Sequence, residues 1–407
     1  MPRTDSEFWT STTDARLASF LDSLGTLLWD SRQRHSFATY ALGLLSDLER
    51  KTAEAIAAAA TTDPDDVDSA HQRLLHCIAD APWPDEQVRL LAARYALGPM
   101  TARSPVQTWS IDDTGFLKSG PHSVGVQRQY TGSAGKITLC QTAVSLTLGT
   151  AYSHLPVDLQ LYLPQSWLDD AVRRKRTRIP ESAAMQTKPQ MAIEMLKRAV
   201  AADLPRGVVL ADAAYGDSAA FRAEVRALLL HYVVGVHRTT RVIPAGSAEP
   251  VSIQALVDSQ TLDFRRVQWR EGSGKRLSAR FAFVRVQVPQ DAQDASLWLI
   301  VEWRTGEATP ERAYLASLPS HTSHRRLVYL LKERYRVEQS YREMKQELGL
   351  AHYEGRSYTG WNHHVSVVLS CYAFVVAERD RAFPPSARRE LRFPWHTEPA
   401  QPLGENG

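Results

Sequence analysis

The chain of 407 residues has only three cysteines, Cys77, Cys140 and Cys371. They lie far apart and form no Cys-x-x-Cys pair. That spacing argues against a disulfide framework and a zinc ribbon, and it fits a reducing cytoplasm. Long apolar runs are also missing. The longest, Val365 to Ala377, is broken by Ser366, Ser370 and Tyr372. It reaches about two-thirds of the ~20 residues that span a bilayer, so it reads as a buried helix and gives no membrane partner. Met1 to Thr10 carry acidic residues and no apolar segment, which is not the pattern of a signal peptide. Neither sign of charge dominates: the net charge is +3, so binding to nucleic acid would need local clusters of Lys and Arg. No internal repeat is visible. Gly272-Ser273-Gly274-Lys275 lacks the spacing and the strand-to-helix setting of a phosphate loop and reads as a hairpin turn. What remains is ordinary for a soluble globular chain able to bury a sizeable core, 43% hydrophobic and 23% charged. The length suits two to four domains, or one domain with an insertion.

The first hundred residues read as helical. Phe20, Leu21, Leu24, Leu27 and Leu28 recur at helical spacing, as do Phe37, Tyr40, Leu44, Leu45 and Leu48. Near residue 105 the pattern changes. Gln107 to Asp112, Lys136 to Leu148 and Ala151 to Leu163 read as three strands in a meander, with Gly149-Thr150 as a turn. An amphipathic helix follows from Lys188 to Ala202. Gly207 to Asp212 is a short apolar run ending in a carboxylate, as buried strands do. Asp217 or Ser218 can cap a helix holding Phe221, Val225 and Leu228, and His231 to Val236 is a further strand. Residues 240–305 turn strand-rich. His321 to Leu350 reads as one long helix stopped by Gly349, and Trp361 to Arg381 as the last helix.

This order predicts an α/β fold: a ribonuclease H-like, mixed five-stranded sheet with flanking helices. Five units are expected. They are a helical N-terminal domain (1–104), a first part of the core (105–239), a β-rich insertion (240–306), a second, helical part of the core (307–382) and a C-terminal tail (383–407). Asp212 and Glu338 are 126 residues apart. A helix, a strand and a helix start need about half of that, so the surplus predicts that the insertion is a small subdomain of its own.

Three acidic positions stand out by context. Asp112 ends the first strand, Asp212 ends the fourth, and Glu338 lies mid-helix. A lone Asp at a strand end is ordinarily a turn or cap residue, and a helix Glu ordinarily faces solvent. In this topology, however, the first and fourth strands are neighbours, and a packed helix can bring the Glu to them. Phosphodiester cleavage needs an activated attacking oxygen and compensation of charge on the leaving oxygen, which two divalent ions roughly 3.5–4 Å apart supply. Mg²⁺ (or Mn²⁺) takes hard oxygen ligands, so three carboxylates make a suitable site for two ions.

Arg334, Glu338 and Lys345 fall within about 60° of one helix face. The bland alternative is helix salt bridging, which Glu338 and Arg342 could also make. The spacing resembles the Tyr-Arg-Glu-Lys signature of bacterial insertion-sequence DDE transposases. Arg334, Glu338 and Lys345 match its Arg, Glu and Lys, while Leu331 stands at the Tyr position. The stretch Asp112-Asp113-Thr114-Gly115-Phe116-Leu117-Lys118-Ser119-Gly120 resembles the first-Asp region of one branch. Gln129-Tyr130-Thr131-Gly132 belongs to the same likeness. Leu210-Ala211-Asp212-Ala213-Ala214-Tyr215 resembles the second-Asp region, and His363-His364 after Gly355-Arg356 the C-terminal stretch. Asp112 and Asp113 compete for the first place. Asp112 is preferred because it keeps the relatives' two-residue spacing to Thr114.

The resemblance implies a metal-dependent DNA transposase. Its expected reaction is cleavage at the element's terminal inverted repeats and strand transfer into target DNA, by cut-and-paste, as a homodimer, in a bacterial cytoplasm at the nucleoid. The helical N-terminal domain (1–104) is expected to bind the terminal inverted repeats, and Arg334, Arg342 and Lys345 are expected on DNA. So is the densest basic cluster, Arg173-Arg174-Lys175-Arg176, taken as a loop. Of the insertion's Trp269, Trp298 and Trp303, Trp298 is the choice for stacking on a flipped base. The competing readings are an inactive, transposase-derived DNA-binding protein and a host ribonuclease H-like nuclease.

Overall fold

A computed structural model describes residues 5–132, 134–270, 276–289, 291 and 296–382. The tail from 383 and the turn at 272–275 fall outside the described residues. Five helices come first: α1 (Asp5–Gly25), α2 (Ser31–Leu45), α3 (Ala53–Ala60), α4 (Val67–Leu75) and α5 (Asp85–Arg103). Asp30 and Thr52 start α2 and α3 by accepting hydrogen bonds from the backbone N–H groups of Gln33 and Ala55. The central part holds β1 (Thr108–Leu117), β2 (Gln127–Thr131), β3 (Lys136–Gly149), β4 (His154–Leu161), α6 (Gln165–Leu168) and α7 (Ala171–Thr177). It continues with α8 (Lys188–Ala201), β5 (Val208–Ala211), α9 (Ala213–Gly216), α10 (Ala219–Ala227) and β6 (Tyr232–Val236). Then come β7 (Arg241–Pro244), β8 (Val251–Ser252), α11 (Ile253–Asp258), β9 (Arg265–Arg270), β10 (Arg276–Gln287), β11 (Leu297–Trp303) and β12 (Arg312–Ala316). Three helices close the described chain: α12 (His324–Lys332), α13 (Tyr335–Gln346) and α14 (Tyr358–Ala382).

The strands form one 12-stranded sheet, in the order β2-β3-β1-β5-β6-β12-β11-β10-β7-β8, with β4 on β3 and β9 on β10. Within it, β4-β3-β1-β5-β6 is the expected ribonuclease H-like order. β3 is antiparallel to β1, while β5 runs parallel to β1 and to β6. The parallel strands carry Val208-Val209-Leu210-Ala211 and Tyr232-Val233-Val234-Gly235-Val236, near-continuous apolar runs. Both faces of such strands are covered, so no alternation is expected.

The insertion differs from expectation. It does not form its own subdomain, because β12 pairs with β6 and hands the ladder on to β11 and β10. The edge that a five-stranded sheet would leave at β6 is thereby filled, which removes an exposed row of backbone donors and acceptors. The N-terminal helices likewise share a core with the end of the chain. Phe20 stacks on Phe374, Trp83 on His363 at 3.7 Å, and the buried Tyr40 hydroxyl meets His364 Nδ1 at 2.9 Å. The His363-His364 pair is therefore packing. No described helix is long and apolar enough to cross a membrane.

Candidate active site

β1 and β5 pair with Ser110 level with Leu210. Two residues further along each strand, Asp112 and Asp212 come level at the same end of the sheet. Asp112 is not at a strand end, since β1 runs on to Leu117. Asp212 is: it leaves β5 and caps α9, its Oδ1 accepting from the Ala214 N–H at 2.9 Å. α9 must lie tightly on β6 for this, and a Cβ at Gly216 would collide with the Gly235 carbonyl oxygen. The short helix thus fixes the direction in which Asp212 leaves the sheet.

The single long helix expected over 321–350 is two. Ser323 caps α12, and the chain then tightens through three-residue hydrogen bonds: Glu333 N–H to the Leu330 carbonyl, Arg336 to Glu333 and Val337 to Arg334. α13 starts anew from Arg334. Its guanidinium reaches Asp112, Nη1 to Oδ2, at 2.7 Å. The charges of Asp112, Asp212 and Glu338 all raise the Arg334 pKa, though burial opposes them. One guanidinium is therefore shared by the fields of the three carboxylates singled out in the sequence. Glu338, one turn on, is exposed. Among the described residues no three His, Cys, Asp or Glu side chains are drawn close enough to hold a metal ion. Asp112 and Asp212 come level on neighbouring strands, and Arg334 stands with them as the positive charge.

Burial pushes Asp112 up to about 6, and Arg334 and the Asp113 N–H only partly offset it, while Asp212 adds to the rise. The sign for stability follows. Between the ordinary carboxylate range and pH 6 the folded chain holds a proton on Asp112 that the unfolded chain has lost, so stability falls as pH rises through this window. In metal-free protein, urea unfolding of Asp112→Asn against the parent is expected to show the parent losing about 2–3 kcal/mol relative to the variant from pH 4 to 7. A constant difference across that range would contradict the burial of this carboxylate.

Asp113 points to the opposite side of the strand, where Lys188 on the first turn of α8 meets it at 2.7 Å. The side that carries Asp112 is lined by the buried phenol of Tyr341, and Tyr215 of α9 is buried nearby. Tyr341 of α13 bonds the Ser145 hydroxyl at 2.5 Å, and Ser145 sits opposite Asp112 in the ladder. Burial first, then the Asp112 charge among others, raises the Tyr341 pKa well above that of a free phenol. Burial and then the Asp113 charge raise the Tyr215 pKa in the same direction. Sequence reading missed Tyr215, Tyr341, Ser145 and Lys188. Only Tyr215 left a signal, three residues after Asp212.

Lys345 lies further along the same side. Its ammonium donates to the Thr114 hydroxyl and the Gly115 carbonyl, both at 2.8 Å, and covers the Phe116 ring. Burial brings its pKa down to about 8. Arg342 is exposed on the outer face of α13. The cluster 173–176 is not a loop but most of α7. Arg174 is spent on the backbone, donating to the carbonyls of Pro180 and Glu181, and Arg173 covers Trp167, whereas Lys175 and Arg176 are exposed. Trp298 corrects the expectation for base stacking. It is 8% exposed, beneath Arg285 and edge-on to His324, with its indole N–H on the Pro319 carbonyl. Alternating strand residues put it on the inner face, against α12.

Residues 20–255 match a family described as DDE superfamily endonuclease, and residues 181–374 match one described as transposase DDE domain. The chain is also similar to the probable transposase for insertion sequence element IS701 of Microchaete diplosiphon. The two are 25% identical over 361 residues, which cover 88% of this chain and 86% of that protein.

Proposed function

This chain belongs to the DDE superfamily of endonucleases, and from that premise we propose that it is the transposase of an insertion sequence, cutting the element's terminal inverted repeats and joining them to target DNA by cut-and-paste. The observation that carries the reading is the pairing of Asp112 with Asp212 on adjacent parallel strands, with Arg334 bonded to Asp112 and in the field of Glu338. Divalent-metal dependence goes with the family. The donor set fits such an ion: two side-by-side carboxylates, one of them held above the ordinary range by burial and by its neighbour, are relieved by a hard dication.

Asp112, Asp212 and Glu338 would hold Mg²⁺ or Mn²⁺, two ions per site by the logic of phosphodiester cleavage. When bound, the metal would lower the pKa of an attacking water and stabilise the leaving oxygen. The remaining work falls to the chain. Arg334 turns its guanidinium from Asp112 to a phosphate oxygen, where its fork can bind two oxygens. Lys345, Arg342, Lys175 and Arg176 place positive charge along the backbone. The buried Tyr341–Ser145 pair packs beneath Asp112 and keeps that side dry. The protein works at the nucleoid as a homodimer bridging two ends.

The test is incubation of the purified chain with labelled duplexes containing its own element's end. Nicks at the end boundary are expected with Mg²⁺ or Mn²⁺, and none with a chelator. Equal cutting of unrelated duplexes would favour a host nuclease, and binding without nicks an inactive derivative.

A further inference from the structure

The β2–β3 hairpin runs past the sheet that carries Asp112. β1 ends at Leu117, opposite Cys140, so Lys136, Ile137 and Thr138 pair with β2 alone. The result is a projecting two-stranded ribbon. Tyr130 and Ile137 are directly cross-strand, 67% and 61% exposed, with Arg128 and Lys136 exposed beside them. From Thr114 to Val157 the sequence contains no Asp or Glu, so the ribbon has cations and no carboxylate of its own. Glu354, whose charge is felt by Lys118 at the ribbon's base, is already paired with Arg50 at 2.5 Å.

An open edge strand carrying a bare aromatic–aliphatic pair invites adhesion, and folded proteins ordinarily blunt or cover such an edge. Here the accompanying charge is of one sign, which suits a polyanion better than a second copy bearing the same cations. A two-stranded ribbon also fits the major groove of B-DNA. The distance is suitable. The same strand β3 carries Ser145 opposite Asp112, and Ile137 lies eight residues before it. At ~3.4 Å per residue this is about 27 Å of strand. That spans about eight base-pair steps of duplex, within one helical turn.

We propose that the β2–β3 ribbon is a second DNA-contacting element, entering a groove roughly eight base pairs from the phosphate that is cut. Arg128 and Lys136 take phosphates, while Tyr130 and Ile137 lie against the groove wall. The proposal rests on the reading of the chain as a transposase, and its test separates the two.

The probe is a fluorescein-labelled 40-base-pair duplex of mixed sequence (about four helical turns), titrated with the full chain from ~50 to ~200 mM salt. Arg128→Ala with Lys136→Ala is expected to weaken binding about tenfold and to lower the salt slope by about 2. Tyr130→Ser with Ile137→Ser should weaken binding several-fold with the slope kept. Arg128→Lys with Lys136→Arg should retain both, and all four positions are exposed, so melting temperatures should stay with the parent. Parental affinity in both of these double variants, with the parental slope in Arg128→Ala with Lys136→Ala, would overturn the proposal. So would a dimer that becomes monomeric in Tyr130→Ser with Ile137→Ser while the slope is unchanged, since the ribbon would then join two copies. A parent that binds no duplex sinks both readings. A parent that binds through the ribbon but never nicks element ends leaves this inference standing and removes the other.

Discussion

Asp112→Asn and Asp212→Asn are each expected to abolish end cleavage, by at least about a thousandfold, with DNA affinity unchanged or modestly higher. Both carboxylates are needed because the two left in each variant cannot balance and position a pair of hard dications, and the amide that replaces the third carries no charge. DNA binding survives because the positive groups, Arg334, Arg342 and Lys345, are untouched. Removing a negative charge beside the phosphate path can only favour the polyanion. The informative control is Asp113→Asn. Its ion pair with Lys188 is about one-third exposed on each side, and such a pair is worth about 0–1 kcal/mol. Cleavage in Asp113→Asn should stay within a few-fold of the parent. Labelled-duplex nicking with all three variants reads this directly. Loss of nicking in Asp113→Asn with activity retained in Asp112→Asn would reverse the assignment of the first Asp.

The second large effect is expected far from DNA. The Glu302 carboxylate on β11 is fully buried, bonded to Lys332 at 2.5 Å, Arg304 at 3.0 Å and the Tyr314 hydroxyl at 3.0 Å. Burial alone would raise its pKa, but Lys332 and Arg304 more than offset this and hold it below the ordinary value. A depressed carboxylate stabilises the fold at neutral pH, and that contribution is lost as pH falls through its folded value. Glu302→Ala leaves the Lys332 ammonium, between the Trp269 and Phe281 rings, without that carboxylate. Removing one partner of a buried pair costs about 3–5 kcal/mol. Lys332 ends α12 two residues before Arg334, so the damage should reach the cleft as well. Urea unfolding is expected to show the loss of stability, and nicking at a temperature where the variant is still folded should also fall. A stability change below ~1 kcal/mol would show that the network is dispensable.

The core of the fold was legible because its periodicities are local. The apolar runs Val208–Ala211 and Tyr232–Val236 announce doubly covered strands, and Ser218 announces a helix start. Asp112, Asp212 and Glu338 were legible as carboxylates in matching surroundings. The edge strand β2 was not, because Gln127-Arg128-Gln129-Tyr130-Thr131 is polar and sheet pairing alone makes it a strand. Nor was the break before Arg334. A helix pattern runs straight through Glu333, and three-residue hydrogen bonds interrupt it only once α12 is held against the insertion strands.

By itself the sequence determined which residues can carry the chemistry: acidic side chains on or just after buried strands, and basic ones at helical spacing around Glu338. Tertiary structure alone decided how they are used. Pairing of β1 with β5 puts Asp112 level with Asp212 and turns Asp113 away to Lys188. The restart of the chain at α13 delivers Arg334 to Asp112, and packing against α12 buries Trp298. The physical reason is that type and spacing are local properties of a chain. Which oxygen faces which cation depends on strand register, and a one-residue change of register moves every side chain to the other face.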